Sequence, residues 1–204
     1  MNQDKIVVVM GGTSTEAEIS RQTGTAILKA LQSKGYHAEG MELVPATFAA
    51  DIQRSGCAIV FNALHGKFGE DGVLQGTLDM LGIPYTGSGV LAAAVTMDKA
   101  ASKRVFVAEG ISTPRSRTYH SYETKKNLAE EVERDFSLPV VVKAASQGSS
   151  IGVYIVETAA GLSDALKEAF TYNDEVLVEE FIKGRELTVA VWGNEEKKEA
   201  FPII

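Results

Sequence analysis

Residues Ile6-Val7-Val8-Val9-Met10 form an unbroken run of apolar, mostly β-branched side chains. A strand with one wet face alternates, so a strand that is apolar throughout must be covered on both faces. Gly11 and Gly12 end the run. Over residues 16–34 the inward positions then recur at helical spacing, at Ile19, Thr23, Ala26, Ile27, Ala30 and Leu31, with Gly35 as the stop. A covered strand that turns through two glycines into an amphipathic helix opens a parallel α/β sheet. Residues 38–44 and 58–61 read as the next strands, and Val73–Leu81 as a short helix ended by Gly82.

The pattern changes near residue 97. Residues 98–108 read as a helix capped by Asp98 and stopped by Gly110, and Thr113-Pro114 breaks the chain. A charged amphipathic helix is predicted over 124–136 and another helix over 162–170. Val140–Ala144 and Val153–Val156 are strands joined directly by a Gly/Ser loop. Such a hairpin implies an antiparallel sheet, to which residues 176–180 add a strand. The second part is therefore α+β. The last segments, 187–192 and 200–204, read as two strands around a Gly193-Asn194 turn. An uncovered apolar strand leaves an open edge, so the chain is expected to be a piece of something longer.

Composition excludes several classes. The 204 residues suffice for one or two domains. At 45% apolar residues the chain is not disordered. Lys plus Arg number 20 against 27 Asp plus Glu, a formal charge of −7, which argues against a broad nucleic-acid or membrane-surface footprint. The single cysteine, Cys57, fits a reducing compartment. The run at Ile6–Met10 is too short to span a bilayer and lacks a signal-peptide cleavage site. A cytoplasmic protein is expected.

Four segments can carry chemistry. Gly11-Gly12-Thr13-Ser14-Thr15-Glu16 precedes a helix whose N-terminus can attract an anion. It has neither the dinucleotide glycine pattern nor the lysine of a phosphate loop. It reads equally as a turn in which Ser14 or Thr15 caps and Glu16 or Glu18 complements the dipole. His65 follows a covered strand, where ligands of open α/β sheets sit. Gly66, Gly69 and Gly72 surround it, and Asp71 is placed to cap the next helix. Its position favours function over a plain loop histidine, whereas His37 and His120 read as surface residues. Lys143 ends a covered strand beside Ala144-Ala145-Ser146-Gln147-Gly148-Ser149-Ser150-Ile151-Gly152. The loop and the ammonium together can cover a polyphosphate, with Lys99 as a second cation. The alternative is a flexible polar hairpin with solvated lysines. Glu179-Glu180-Phe181-Ile182-Lys183-Gly184-Arg185-Glu186 is a strand running into a polar link. It reads as an adenine-binding hinge or as an edge strand with solvated acids. Glu195, Glu196 and Glu199 read as solvated.

In this order and spacing the segments resemble the D-alanine–D-alanine ligases of the ATP-grasp superfamily. The resemblance runs from residue 5 to the end of the chain. It rests on Gly11 to Glu16 with Glu18-Ile19-Ser20, and on Ala63-Leu64-His65-Gly66 with Gly69-Glu70-Asp71-Gly72. Further along it rests on Pro84-Tyr85-Thr86-Gly87-Ser88-Gly89, Met97-Asp98-Lys99, Val142-Lys143 and Gly148-Ser149-Ser150-Ile151-Gly152.

The resemblance implies an α/β fold with an open parallel-sheet N-terminal domain, Rossmann-like and pre-ATP-grasp, over residues 1–97, which binds substrate. An α+β ATP-grasp lobe with an antiparallel sheet follows over 98–183. Residues 184–204 would begin a C-terminal lobe that is truncated. The implied activity is ATP-dependent joining of two D-alanines through an acyl phosphate, for peptidoglycan precursors. Glu16 would hold the first D-alanine's ammonium with Ser149 as hydrogen-bond partner, and His65 would line that pocket. Lys99 and Lys143 would contact ATP phosphates, and Gly148, Ser149, Ser150 and Ile151 would close over them. Glu179, Glu180, Phe181 and Ile182 would border adenine, and Glu186 would bind ribose. Implied partners are D-alanine, ATP and a second copy in a homodimer, with neither nucleic acid nor membrane. Mg²⁺ is implied as well, its ligands lying beyond residue 204, so these residues alone are expected to be inactive. Two alternatives are a non-catalytic ligand-binding module on the same framework and another ATP-grasp carboxylate–amine ligase.

Overall fold

The computed structural model describes residues 4–123, 128–194 and 196–204. Strand β1 (Ile6–Met10) is the middle of a three-stranded parallel sheet, flanked by β2 (Ala38–Glu42) and β3 (Ile59–Asn62). Helices α1 (Ala17–Ser33), α2 (Phe48–Ser55) and α3 (Val73–Leu81) connect and cover it. Val7, Val8 and Val9 are all buried, as the unbroken apolar run requires. Val7, Val9 and Val60 pack against Phe48, Ile52, Leu74 and Leu78, while α1 lies along β1 and β2. Helix α2 was not foreseen from the sequence. Of its eight residues only Phe48 and Ile52 are buried, too few to mark a period. The same holds for α4 (Val90–Met97), where only Ala93 is buried.

Helix α5 (Lys99–Ala108) begins as expected, with Asp98 Oδ1 accepting the Ala101 N–H at 2.7 Å. It leads to a four-stranded sheet made of β4 (Ser116–His120), β5 (Val140–Ala144), β6 (Val153–Val156) and β7 (Glu175–Glu180). The order is β4-β7-β5-β6 and every pairing is antiparallel. Strand β4 is also new, because its Ser-Arg-Thr-Tyr-His sequence buries only Tyr119. Helices α6 (Leu128–Asp135) and α7 (Ala159–Tyr172) cover one face. Val132, Leu162, Leu166 and Ala169 pack there on Val140, Val142, Val176 and Val178. The first residues of the helix expected over 124–136 lie outside the described residues, as does Glu195. Strand side chains alternate, so Val141, Lys143, Leu177 and Glu179 belong to the opposite face.

The final hairpin comprises β8 (Val191–Gly193) and β9 (Lys198–Ala200). The expected Gly193-Asn194 turn is not what forms. Gly193 pairs with Lys198 inside the ladder, and the link is residues 194–197. There Asn194 Oδ1 accepts the N–H groups of Glu196 and Lys197 at 3.0 and 2.9 Å. Thr188 and Ile204 exchange both backbone hydrogen bonds beyond the strands proper. Among the described residues no helix is long and apolar enough to cross a membrane.

One buried hydroxyl joins the loops above the first sheet. Ser20, fully buried on α1, accepts the Gly11 N–H and donates to the Ala63 carbonyl, both at 2.8 Å. Ser20→Ala strands a donor and an acceptor away from water. It is expected to cost about 1–3 kcal/mol, measured as a lower urea midpoint at unchanged slope.

Candidate functional site

The loops after β1 and β3 meet side by side. Ser14 Oγ donates to the His65 carbonyl at 2.8 Å and accepts the Glu16 N–H at 3.2 Å. Helix α1 has no side-chain cap on its own N-cap residue, so Ser14 chiefly joins the two loops. His65 Nε2 is hydrogen-bonded to Thr23 Oγ1 at 3.1 Å, and its Nδ1 lies 3.7 Å from Glu70. Glu70 accepts the Gly66 N–H, and Asp71 accepts those of Phe68 and Val73, the first residue of α3, whose N-cap position is held by Gly72 and not by Asp71 as expected. Asn62 and Gln75 both donate to the Gly69 carbonyl. These bonds fix the glycine-rich loop that presents His65.

Glu16 sits where this group meets the hairpin loop of the second sheet. A Cβ built on Gly66 would come within 2.8 Å of Glu16 Oε2, and one on Gly148 within 2.4 Å. With glycine at both positions the two backbones approach the carboxylate closely. Among the described residues no hydrogen bond joins Glu16 to Ser149, so Gly148 is the closer neighbour. Ser149 holds a left-handed backbone, φ 54°, and is exposed, as is Ser150, while Ile151 is half-buried.

The cations gather on the face of the second sheet that α6 and α7 leave open. Lys143 and Glu179 are diagonal neighbours across β5 and β7 and form an ion pair. Lys103, one turn beyond Lys99 on α5, reaches the other oxygen of Glu179 at 2.8 Å. Lys99 Nζ donates to the carbonyls of Gln147 at 2.5 Å and Ala144 at 3.3 Å, and its N–H to that of Ala145. The start of α5 is thereby docked on the loop. Burial, and next to it the charge of Lys143, hold the Lys99 ammonium below the ordinary lysine pKa.

Glu179 is not a solvated acid on an edge strand. Its side chain is 7% exposed, and β7 lies between β4 and β5. Glu180 accepts the Arg115 N–H at 2.9 Å, the Phe181 N–H reaches Pro139, and Ile182 and Glu186 are exposed. Sequence reasoning missed Lys103, although its i+4 spacing from Lys99 on a helix was a usable signal. It also missed Ser14 and Thr23 as partners of His65.

Two adjoining cavities occupy the junction. The larger, about 700 Å³, is lined by Thr23, His65, Glu70, Thr86, Lys99 and Ser149 among others. The smaller, about 320 Å³, includes Ser14, Glu16, Gly66, Ser146 and Asn173. Both share Met97, Gln147 and Gly148.

Comparison with known proteins matches this arrangement. Residues 105–204 match the D-ala D-ala ligase C-terminus family and residues 40–88 the D-ala D-ala ligase N-terminus family. A solved D-alanine–D-alanine ligase of Bacillus anthracis, complexed with ATP, is 32% identical, with a TM-score of 0.79 over 97% of this chain and 70% of that one. The chain belongs to the D-alanine–D-alanine ligase family. A D-alanine–D-alanine ligase of Herminiimonas arsenicoxydans is 44% identical over 98% of this chain. D-alanyl-alanine synthetase A of Vibrio cholerae is 26% identical, with a TM-score of 0.86 over the whole chain. The chain spans 60% of the Herminiimonas protein and 66% of the Vibrio one. The expected fold class, a parallel α/β sheet followed by an antiparallel ATP-grasp lobe, is the one found.

The Lys99 environment has a measurable consequence. In a ¹³C-lysine pH titration, the Lys99 Cε signal is expected to move at lower pH than those of exposed lysines. Lys143→Met removes the like charge and is expected to shift that titration up. Glu179→Gln removes an attractive charge and is expected to shift it further down.

Proposed function

We propose that this chain carries the amino-acid and nucleotide sites of an ATP-dependent ligase that joins two D-alanines. The observation that carries the reading is the contact of Glu16 with Gly148. It brings a carboxylate suited to an ammonium beside a loop that shares its cavity with Lys99. Family membership and the ATP complex of a relative support the same reading. In it, residues 1–97 bind D-alanine and residues 98–183 bind ATP.

Glu16 pairs with the ammonium of the first D-alanine, and His65, held by Thr23, lines that pocket. Lys99 and Lys143 neutralise phosphate oxygens, and Gly148, Ser149, Ser150 and Ile151 cover them. Glu179, Glu180, Phe181 and Ile182 border the base, and Glu186 takes the ribose. The cluster fits a polyphosphate, since three ammonium groups, those of Lys99, Lys103 and Lys143, outnumber the two nearby carboxylates, Asp98 and Glu179.

The chemistry follows from the poor electrophilicity of a carboxylate. An oxygen of the first D-alanine attacks the terminal phosphorus, the bond to ADP breaks, and an acyl phosphate forms. The amine of the second D-alanine attacks that carbonyl. Phosphate leaves with the bonding electrons, and the amine's proton passes to solvent. The cations stabilise the charge crowded together in the first step. Among the described residues no three acids, histidines or cysteines stand together as a metal site. Bound Mg²⁺ would add further positive charge at the phosphates. The dipeptide would serve peptidoglycan precursor synthesis in the cytoplasm.

The test is titration of D-alanine, with L-alanine as control, into the 204-residue chain followed by NMR. Glu16→Gln keeps shape and removes charge. Loss of one charge-assisted contact is expected to weaken D-alanine binding about tenfold or more. Unchanged affinity with a lower melting temperature would return Glu16 to a helix-start role. With ATP, Mg²⁺ and D-alanine, the chain is expected to give no D-alanine-dependent release of ADP.

A further inference from the structure

We propose that Lys103 is a positioning residue of the nucleotide site. It shares the Glu179 carboxylate with Lys143, and so leaves the Lys143 ammonium partly free to meet phosphate. The proposal rests on the reading of Lys143 as a phosphate contact.

Glu179 offers one oxygen to each lysine, Oε2 to Lys103 and Oε1 to Lys143. The two cations are not equivalent. Lys103 has a side chain 11% exposed, and its ammonium also donates to Thr113 Oγ1 at 2.8 Å. Lys143 is 26% exposed, on the strand that leads into the glycine–serine loop. An ammonium has three donors, and Glu179 occupies one of those on Lys143. Lys103 therefore fixes the rotation of the carboxylate, and through it the place of the Lys143 ammonium. It also half-neutralises Glu179. Without Lys103 the carboxylate belongs to Lys143 alone, and the cluster loses one positive charge.

Charge and architecture at Lys103 have different consequences. Replacing Lys103 by Met removes one cation. Replacing Glu179 by Gln in the same chain removes the competing anion and restores the original net charge. A structural role for Lys103 makes the double variant no better than the single one. A positioning role makes it better.

The experiment measures binding of inorganic tripolyphosphate to the 204-residue chain by NMR titration at low salt. The inorganic probe leaves the adenine contacts out of the result. Lys103→Met is expected to weaken tripolyphosphate binding about tenfold, the scale of one unit charge lost at short range near a surface. Lys103→Arg is expected to restore most of that loss, and Lys103→Met/Glu179→Gln to recover it. The double variant leaves no unpaired buried carboxylate, so it serves if the single variant does not fold. Unchanged binding in Lys103→Met, with a loss in Lys143→Met, overturns the role of Lys103 alone. Unchanged binding in both, or no binding by the unsubstituted chain, overturns the nucleotide reading and the proposal with it. A double variant weaker than Lys103→Met overturns the sharing of Glu179.

Discussion

A single buried carboxylate, Glu179, organises the ionic face of this molecule. A lone charge withdrawn from water is costly, and it persists only with partners of opposite sign at close range. Here the partners arrive from separate elements, Lys103 from α5 and Lys143 from β5. The alternation of β5 and β7 makes this possible. Val140, Val142, Val176 and Val178 seal one face against α6 and α7. The same two strands then turn Lys143 and Glu179 to the other side. One sheet thus serves as half of a core and as the floor of a charged cleft.

The cleft joins two sheets that differ in kind. Parallel strands β1 and β3 end in loops bonded to each other through Ser14 and Ser20. The antiparallel hairpin of β5 and β6 brings its loop to the same place, where Lys99 holds it by three backbone carbonyls. Glu16 is the contact between the halves. The cavity beside Glu16 and the hairpin loop are therefore neighbours because of backbone approach at Gly66 and Gly148, with side-chain bonds in support.

What the sequence revealed followed from how much apolar area each element buries. Ile6–Met10 and Val140–Ala144 were plain because nearly every residue in them is covered. Helices α2 and α4 and strand β4 were not, because each buries only one or two side chains. Lys99 and Lys143 stood out by their places at element ends. Lys103 did not, since a mid-helix lysine is usually solvated and its partner lies 76 residues away. Asp71 was legible as a local bond. Ser14 and Ser20 were not legible in their joining roles, because their acceptors lie 51 and 43 residues away. Distance along the chain, more than chemistry, separated the visible parts of the site from the hidden ones.

The last hairpin also governs how these residues behave in solution. Val191 and Trp192 on β8, and Ile203 and Ile204 beyond β9, all face water, and each strand is three residues long. Short apolar strands with unpaired backbone groups invite pairing with any extended segment nearby. Residues 191–193 and 203–204 thus form one of the apolar surfaces through which copies can associate.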